Sequence, residues 1–316
     1  MSHVVLQVPS AAVQEMKKHY QPFLSEKVPQ GGIFAAKPPL CSITAYKSGK
    51  VLFQGKNAEA EAGKWGKSAS AVPAKTAGKS VKTHSFSPPP EIGTMSVAGS
   101  DEVGTGDYFG PITVVAAYVK KEQLALLKEL GVKDSKNLKD PQIMEIARQI
   151  KSIIPFSLLI CDNPKYNSLQ QKGMSQGKIK ALLHNQALKH LLQKIEPEQP
   201  EAILIDQFAQ PDVFFNYLKG QTLFQANATY LSTKAEGIHL SVAAASILAR
   251  YAFIQRFDLL SEKAGFRIPK GAGSLVDEAA ARLIAKKGFN ALNEFTKLHF
   301  ANTEKAKRLY ERKYGK

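Results

Sequence analysis

The sequence predicts an α/β domain over residues 95–316, its sheet mixed or parallel and flanked by helices, preceded by a small α+β domain over residues 1–67. Three observations carry that prediction. From residue 96 onward, β-prone apolar runs alternate with helix-length amphipathic ones. Residues 68–94 are rich in Ser, Ala, Lys, Gly and Pro, include three consecutive prolines at 88–90 and show neither period, so they read as a linker. In "CSITAYKSGKVLFQG", Cys41, Ile43 and Ala45 alternate with Ser42, Thr44 and Tyr46, and Ser48-Gly49 follows as a turn.

The elements follow in order. Ser10 is placed to cap a helix whose Val13, Met16, Tyr20 and Phe23 form one apolar stripe. A hairpin comes next, glycine supplying the positive φ of its turn. Beyond the linker, "PITVVAAYV" (111–119) reads as a strand, 121–130 and 140–152 as helices, and "FSLLIC" as a buried strand. Residues 178–195 form a long amphipathic helix. "AILID" and "ATYLST" are strands, and "SVAAASILARYAFIQRF" is a helix whose small residues allow close approach to a sheet. Two helices, about 275–287 and 290–298, precede a basic tail.

A net charge of +16 and a pI near 9.6 point to a polyanionic partner. Residues 1–90 hold twelve Lys, no Arg and four Glu, half of the excess in under a third of the chain. Cys41 and Cys161 stand alone, without metal-ligand spacing, so neither a disulfide framework nor a zinc site is expected. The start lacks the pattern of a secretory signal, and no apolar run reaches the ~18 residues of a spanning helix. A reducing, cytoplasmic setting without membrane contact is the expectation.

Acids stand where the hydrophobic pattern should dominate. Asp101 and Glu102 lie beside the first strand of the large domain, Asp206 ends "EAILID", and Glu236 sits between a strand and the following helix. Singly, Asp206 or Glu236 reads better as a helix cap or the partner of a surface lysine. Packed together, four carboxylates repel one another unless cations lie among them, and oxygen-only ligands select Mg²⁺ or Mn²⁺ over zinc. In "GTGDYFG", Gly104 and Gly106 let backbone N–H groups approach a phosphate or sugar, while Tyr108 and Phe109 read as core. "VKDSKNL" offers Ser135 and Lys136 to a phosphate, or else a capped helix start with an exposed lysine. Neither a P-loop nor a dinucleotide fingerprint is present.

In order and spacing, "GSDEVGTGDYFGPI", "KDSKNL", "ILIDQF" and "TKAEGIHLSVAAASILARYAF" resemble the motifs of the type 2 ribonucleases H, specifically the ribonuclease HIII branch, over most of residues 96–260. The Gly-Thr-Gly at 104–106 and Glu236 are similar to that branch, where the ribonuclease HII branch typically has Gly-Arg-Gly and Asp. "CSITAYKSGKVLFQGKNAEAE" resembles a segment of the TATA-binding-protein fold carried by the N-terminal domain of the family. The resemblance implies a ribonuclease H-like fold and cleavage of the RNA strand of RNA/DNA hybrids, leaving 5′-phosphate and 3′-hydroxyl ends. It places an acidic quartet on Asp101, Glu102, Asp206 and Glu236. These would hold two divalent ions, with Asp101 bridging and Glu102 near the leaving group or 2′-hydroxyl. Nucleic-acid contacts fall on Gly104, Thr105, Gly106, Ser135 and Lys136. Tyr46, Lys47 and Lys50 are expected to grip the hybrid from the N-terminal domain, the protein acting as a monomer. Residues 265–274 match the family only loosely and receive no role. Three other readings stay open: junction-cutting activity at a single ribonucleotide, a non-catalytic nucleic-acid binder, and a phosphohydrolase of small esters.

Overall fold

The computed structural model describes residues 3–26, 28–29, 32–47, 49–65, 84–224 and 228–314. Contacts divide the chain into two units, residues 1–82 and 83–316.

In the first unit, β1 (His3–Gln7), β2 (Gly32–Ala36), β3 (Ser42–Tyr46) and β4 (Lys50–Gln54) form an antiparallel sheet in the order β1-β4-β3-β2. The alternation read around Cys41 sets its two faces. Leu6, Phe34, Ile43, Ala45, Val51 and Phe53 bury against α1 (Ser10–His19) and α2 (Ala58–Gly63). Val5, Thr44 and Leu52 meet in register on the opposite face, which also carries Tyr46 and Lys50. The Gly49 N–H closes the hairpin on Tyr46 O at 2.9 Å; Ser48 lies outside the described residues. Two local expectations differ. Pro9, rather than Ser10, occupies the cap position of α1, without a side-chain hydrogen bond, and Phe23 leaves the stripe because the helix ends at His19, putting it in a 3-10 turn at 42% exposure.

The second unit is built on a five-stranded mixed sheet in the order β7-β6-β5-β8-β9, formed by β5 (Val97–Val103), β6 (Ile112–Val119), β7 (Phe156–Cys161), β8 (Ala202–Asp206) and β9 (Thr229–Ser232). Strands β5, β8 and β9 run parallel, and β6 pairs antiparallel with both β5 and β7. One face buries Ile112, Val114, Ala116, Ile203 and Ile205 under α6 (Gln176–Ile195) and α7 (Pro211–Tyr217). The other buries Val115, Ala117 and Val119 under α3 (Leu124–Glu129), α4 (Asp140–Ile150) and α8 (Leu240–Ala264). Tyr108 and Phe109 are fully buried in a third cluster with the end of α8 and with α9 (Ser274–Lys287), α10 (Ala291–Phe295) and α11 (Asn302–Tyr314).

Some expectations are corrected here. "FSLLIC" is β7, an edge strand rather than a buried one, with Leu158 at 37% exposure, because nothing pairs beyond it in the sheet. The helix expected over 290–298 stops at Phe295, and the basic tail is helical, as α11. Helix α5 (Asn163–Gln171) and helix α7 lacked a clear stripe in the sequence. Of the expected linker, 68–83 lies outside the described residues. Residues 84–94 belong to the second unit instead: Phe86 packs on its core, its carbonyl accepting from Leu231 N at 2.8 Å, and Ile92 is buried in a 3-10 turn. Proline richness there makes a fixed turn, not a free tether.

The close approach read from the small residues of "SVAAAS" has its counterpart in the strand. At Gly99 in β5 an added Cβ would collide with the backbone of Ser241 and Val242 at the start of α8. Gly99→Ala should therefore lower stability by about 2 kcal/mol or more, because neither sheet nor helix backbone can give way; urea unfolding measures it.

Candidate active site

Strand β5 delivers two acids to opposite faces. Odd positions face α8, as the collision at Gly99 shows, and even positions face α6. Asp101 thus turns toward Ser246 of α8, and Glu102 toward α6. Parallel pairing of Ser100 with Ile205 brings the last residue of β8, Asp206, abreast of Asp101 on the same face. Glu236 arrives from the 3-10 turn Ala235–Gly237 that joins β9 to α8. The acids therefore gather at the carboxyl ends of parallel strands, where α/β sheets place their sites.

Their partners differ sharply. Asp101 is 7% exposed and accepts the Glu102 N–H at 2.7 Å; burial first, then the charges of Glu102 and Asp206, push its carboxyl well above the ordinary range. Asp206 accepts the Ala235 N–H at 2.8 Å and is likewise raised, by burial before charge repulsion. Neither forms an ion pair among the described residues. Burial alone would raise Glu102 too, but the His184 hydrogen bond and the Lys180 ammonium, 2.7 Å from Oε1, outweigh it and bring the carboxyl down to about 2. Glu236 is 4% exposed and receives Lys136 Nζ at 2.6 Å on Oε1 and the Ser135 N–H and hydroxyl, each at 3.3 Å, on Oε2.

Among the described residues no three His, Cys, Asp or Glu side chains already stand as a metal cage, and lysines hold two of the four acids. The donor set nevertheless suits a hard divalent ion. All four are carboxylates, and two, the buried Asp101 and the half-buried Asp206, are raised by burial and form no ion pair among the described residues, the condition that an added positive charge relieves.

The Gly-Thr-Gly stretch borders the acids. Gly104 (φ +97°) is wedged against Pro111 O and the Phe253 ring, Thr105 Oγ1 lies 3.5 Å from Glu102 Oε1, and Gly106 is exposed with open space where a Cβ would be. The Asp-Ser-Lys loop has the capped start of its second reading, Asp134 capping the 3-10 turn Ser135–Asn137, and the same turn sets Ser135 and Lys136 onto Glu236. Tyr46, Lys47 and Lys50 belong to the first unit, on the hairpin and the sheet face opposite its helices.

Several supporting residues escaped the sequence reading. Arg250 donates to Ser135 O at 2.6 Å and to Asp140, and Lys270 donates to Asp140 Oδ2 at 2.6 Å. Next to it, the Gly271 N–H donates to Asp107 Oδ1 at 2.6 Å and its carbonyl accepts from Tyr108 N. The segment 265–274 thus ties the start of α4 to the residues that follow the Gly-Thr-Gly stretch. Lys297, fully buried, donates to Asp107 O at 2.7 Å and Gly110 O at 2.5 Å.

Burial pushes the Lys297 ammonium down to about 7, against the pull of Asp107. Between there and the unfolded value near 10.5 the unfolded chain binds more protons, so this group makes stability rise with pH. Denaturation of the wild type and Lys297→Met from pH 7 to 9 should show that rise lost in the variant; parallel pH profiles would contradict it.

A family model described as Ribonuclease HII matches residues 98–303, and one described as a domain of unknown function (DUF3378) matches residues 3–77. The ribonuclease HIII of Bacillus subtilis (strain 168) is 62% identical over 313 residues, 99% of each chain, and that of Bacillus licheniformis is 61% identical over 310 residues, 98% of this chain and 99% of the other. The crystal structure of Bst-RNase HIII in complex with Mn²⁺ matches with a TM-score of 0.70 at 47% identity, covering 99% of this chain and all of that one. The ribonuclease H2 from Pyrococcus horikoshii OT3, 22% identical with a TM-score of 0.56 over 69% of this chain and 98% of its own, shares the fold.

Proposed function

This chain belongs to the ribonuclease HIII family, and from that premise we propose that it is an endoribonuclease cleaving the RNA strand of RNA/DNA hybrids to leave 5′-phosphate and 3′-hydroxyl ends. The observation that carries the reading is the pair of carboxylates raised by burial, Asp101 buried and Asp206 half-buried, abreast at the strand ends with no ion pair among the described residues, beside the exposed Gly106. Asp101, Glu102, Asp206 and Glu236 would hold two divalent ions, Mg²⁺ or Mn²⁺. When bound, such a pair supplies an activated water and stabilises the departing 3′-oxygen. The relative solved with Mn²⁺ supports that choice of ion.

The chain's own groups do the rest. Backbone N–H groups of Gly104, Thr105 and Gly106 meet the 2′-hydroxyl, the group that separates RNA from DNA. Lys136, 72% exposed at its side chain, is free to turn from Glu236 to a phosphate, whereas Ser135, buried with its N–H and hydroxyl on Glu236, would reach a phosphate only on leaving that acid. The protein acts as a cytoplasmic monomer, and no described helix is long and apolar enough to cross a membrane.

The test incubates a labelled RNA/DNA hybrid, a DNA duplex with one embedded ribonucleotide, and double-stranded RNA, each with Mg²⁺, Mn²⁺ or a chelator. Internal cuts throughout the hybrid RNA that need the metal are expected. Cutting confined to the single-ribonucleotide junction would replace this reading with a ribonuclease HII-like one, and an intact hybrid would leave only a nucleic-acid binder.

A further inference from the structure

Helix α6 lays three polar side chains, one turn apart, along the end of β5. Gln176 Nε2 donates to Thr105 O at 3.2 Å, Lys180 Nζ donates to Glu102 Oε1 at 2.7 Å, and His184 Nε2 lies 3.0 Å from Glu102 Oε2. The other His184 nitrogen lies 2.6 Å from Ser100 Oγ, so the ring is fixed at both ends. The stripe is dry: the His184 side chain is fully buried, and those of Lys180 and Glu102 are 9% and 10% exposed. Phe208 covers it, its ring centroid 3.9 Å from Lys180 Nζ and 5.3 Å from the His184 ring.

Burying an ammonium is costly unless it is paired, and a buried pair is no net stabiliser in general, so stability alone is a poor reason for Lys180. Its geometry supplies a better one. A carboxylate has about four acceptor positions, and Lys180 and His184 take one on each oxygen, Thr105 Oγ1 approaching Oε1 as well, so that both oxygens are held. Glu102 is thereby aimed, and one unit of positive charge is fixed beside it. Lys136 differs, since it can swing into solvent and take its charge away from Glu236, whereas Phe208 and the helix keep Lys180 in place.

We propose that the Gln176–Lys180–His184 stripe positions Glu102 and that Lys180, as a built-in countercharge, sets the divalent-ion affinity of the acidic site below what four carboxylates alone would give. This rests on the assignment of Glu102 as a metal ligand. Lys180 and His184 are positioning residues, touching the acid and not the substrate.

Calorimetric titration of Mn²⁺ into the full chain without nucleic acid, at fixed salt, tests it on the wild type, Lys180→Met and Lys180→Arg. Removing the charge should tighten Mn²⁺ binding on the order of tenfold, and the arginine variant should stay within about threefold of the wild type. A merely structural lysine would, on removal, lower the melting temperature without tightening the metal. Lys180→Gln keeps a donor toward Glu102 and carries the same expectation should the methionine variant not fold. Neutral variants that fold and bind Mn²⁺ no tighter than the wild type overturn the proposal alone. A wild type that binds no Mn²⁺ overturns the ligand assignment and the proposal with it, whereas Mn²⁺ binding without hybrid cleavage would sink only the ribonuclease reading.

Discussion

Asp101→Asn should lose metal-dependent hybrid cleavage by about three orders of magnitude or more while binding the hybrid as the wild type does. The rate follows from the proposed role: a carboxylate that would hold the divalent ions would supply several kcal/mol of transition-state stabilisation, and each 1.4 kcal/mol is tenfold in rate. Binding is retained because the Asp101 side chain is buried beside Ser246 and Asp206, whereas Gly106 and Lys136 are exposed. The same substitution should raise the melting temperature when a chelator is present. Asp101 has its carboxyl raised by burial and by the charges of Glu102 and Asp206. Its contribution to stability therefore falls as pH rises from the unfolded value, near 3.9, to the folded one, and stays lost above. The amide carries no such charge. The melting advantage of the variant at pH 7 to 8 should shrink toward pH 4. A variant that cleaves at the wild-type rate would end the assignment of Asp101, and one that melts lower at every pH would show that the carboxylate is not under strain.

Glu102, one residue along, shows why the sequence revealed the acids and not their environment. Four carboxylates at the ends of apolar runs are visible because charge interrupts a local pattern, as in "AILID". The strand and helix alternation was legible for the same reason, period by period. What decides the chemistry is not local. Lys180 and His184 reach Glu102 from 78 and 82 residues away, and on paper they are polar positions of an amphipathic helix. The i, i+4, i+8 spacing of Gln176, Lys180 and His184 was the available signal, yet only the packing of α6 on β5 separates such a stripe from a solvated face. Lys297 in "FTKLHF" gave less still, a lone lysine whose two carbonyl partners lie 190 and 187 residues back. Proline at 88–90 misled in the opposite direction, since a rigid residue serves a packed turn as well as a tether.

In the first unit the expected contacts can be weighed face against face. Replacing Tyr46, Lys47 and Lys50 with alanine should weaken hybrid binding about 60-fold near 0.1 M salt. Each lysine on a phosphate contributes a slope of about 0.9 in log affinity against log salt, so two such contacts are worth about 1.8 log units there. The slope itself should become shallower by about 2. The turnover rate at saturating hybrid should hold, because the acids belong to the other unit. Net charge is a competing explanation in so basic a chain, and the fold supplies the control. Lys17 and Lys18 are exposed on α1, whose Val13 and Met16 bury against the opposite side of the sheet. Replacing them with alanine removes the same two charges from the helical face. If the open sheet face grips the hybrid, the helix pair costs little affinity and leaves the slope near the wild-type value. Equal losses from both faces would mean that the unit attracts the polyanion only as a diffuse positive body, and an unchanged slope in the sheet variant would remove the hybrid from this face altogether.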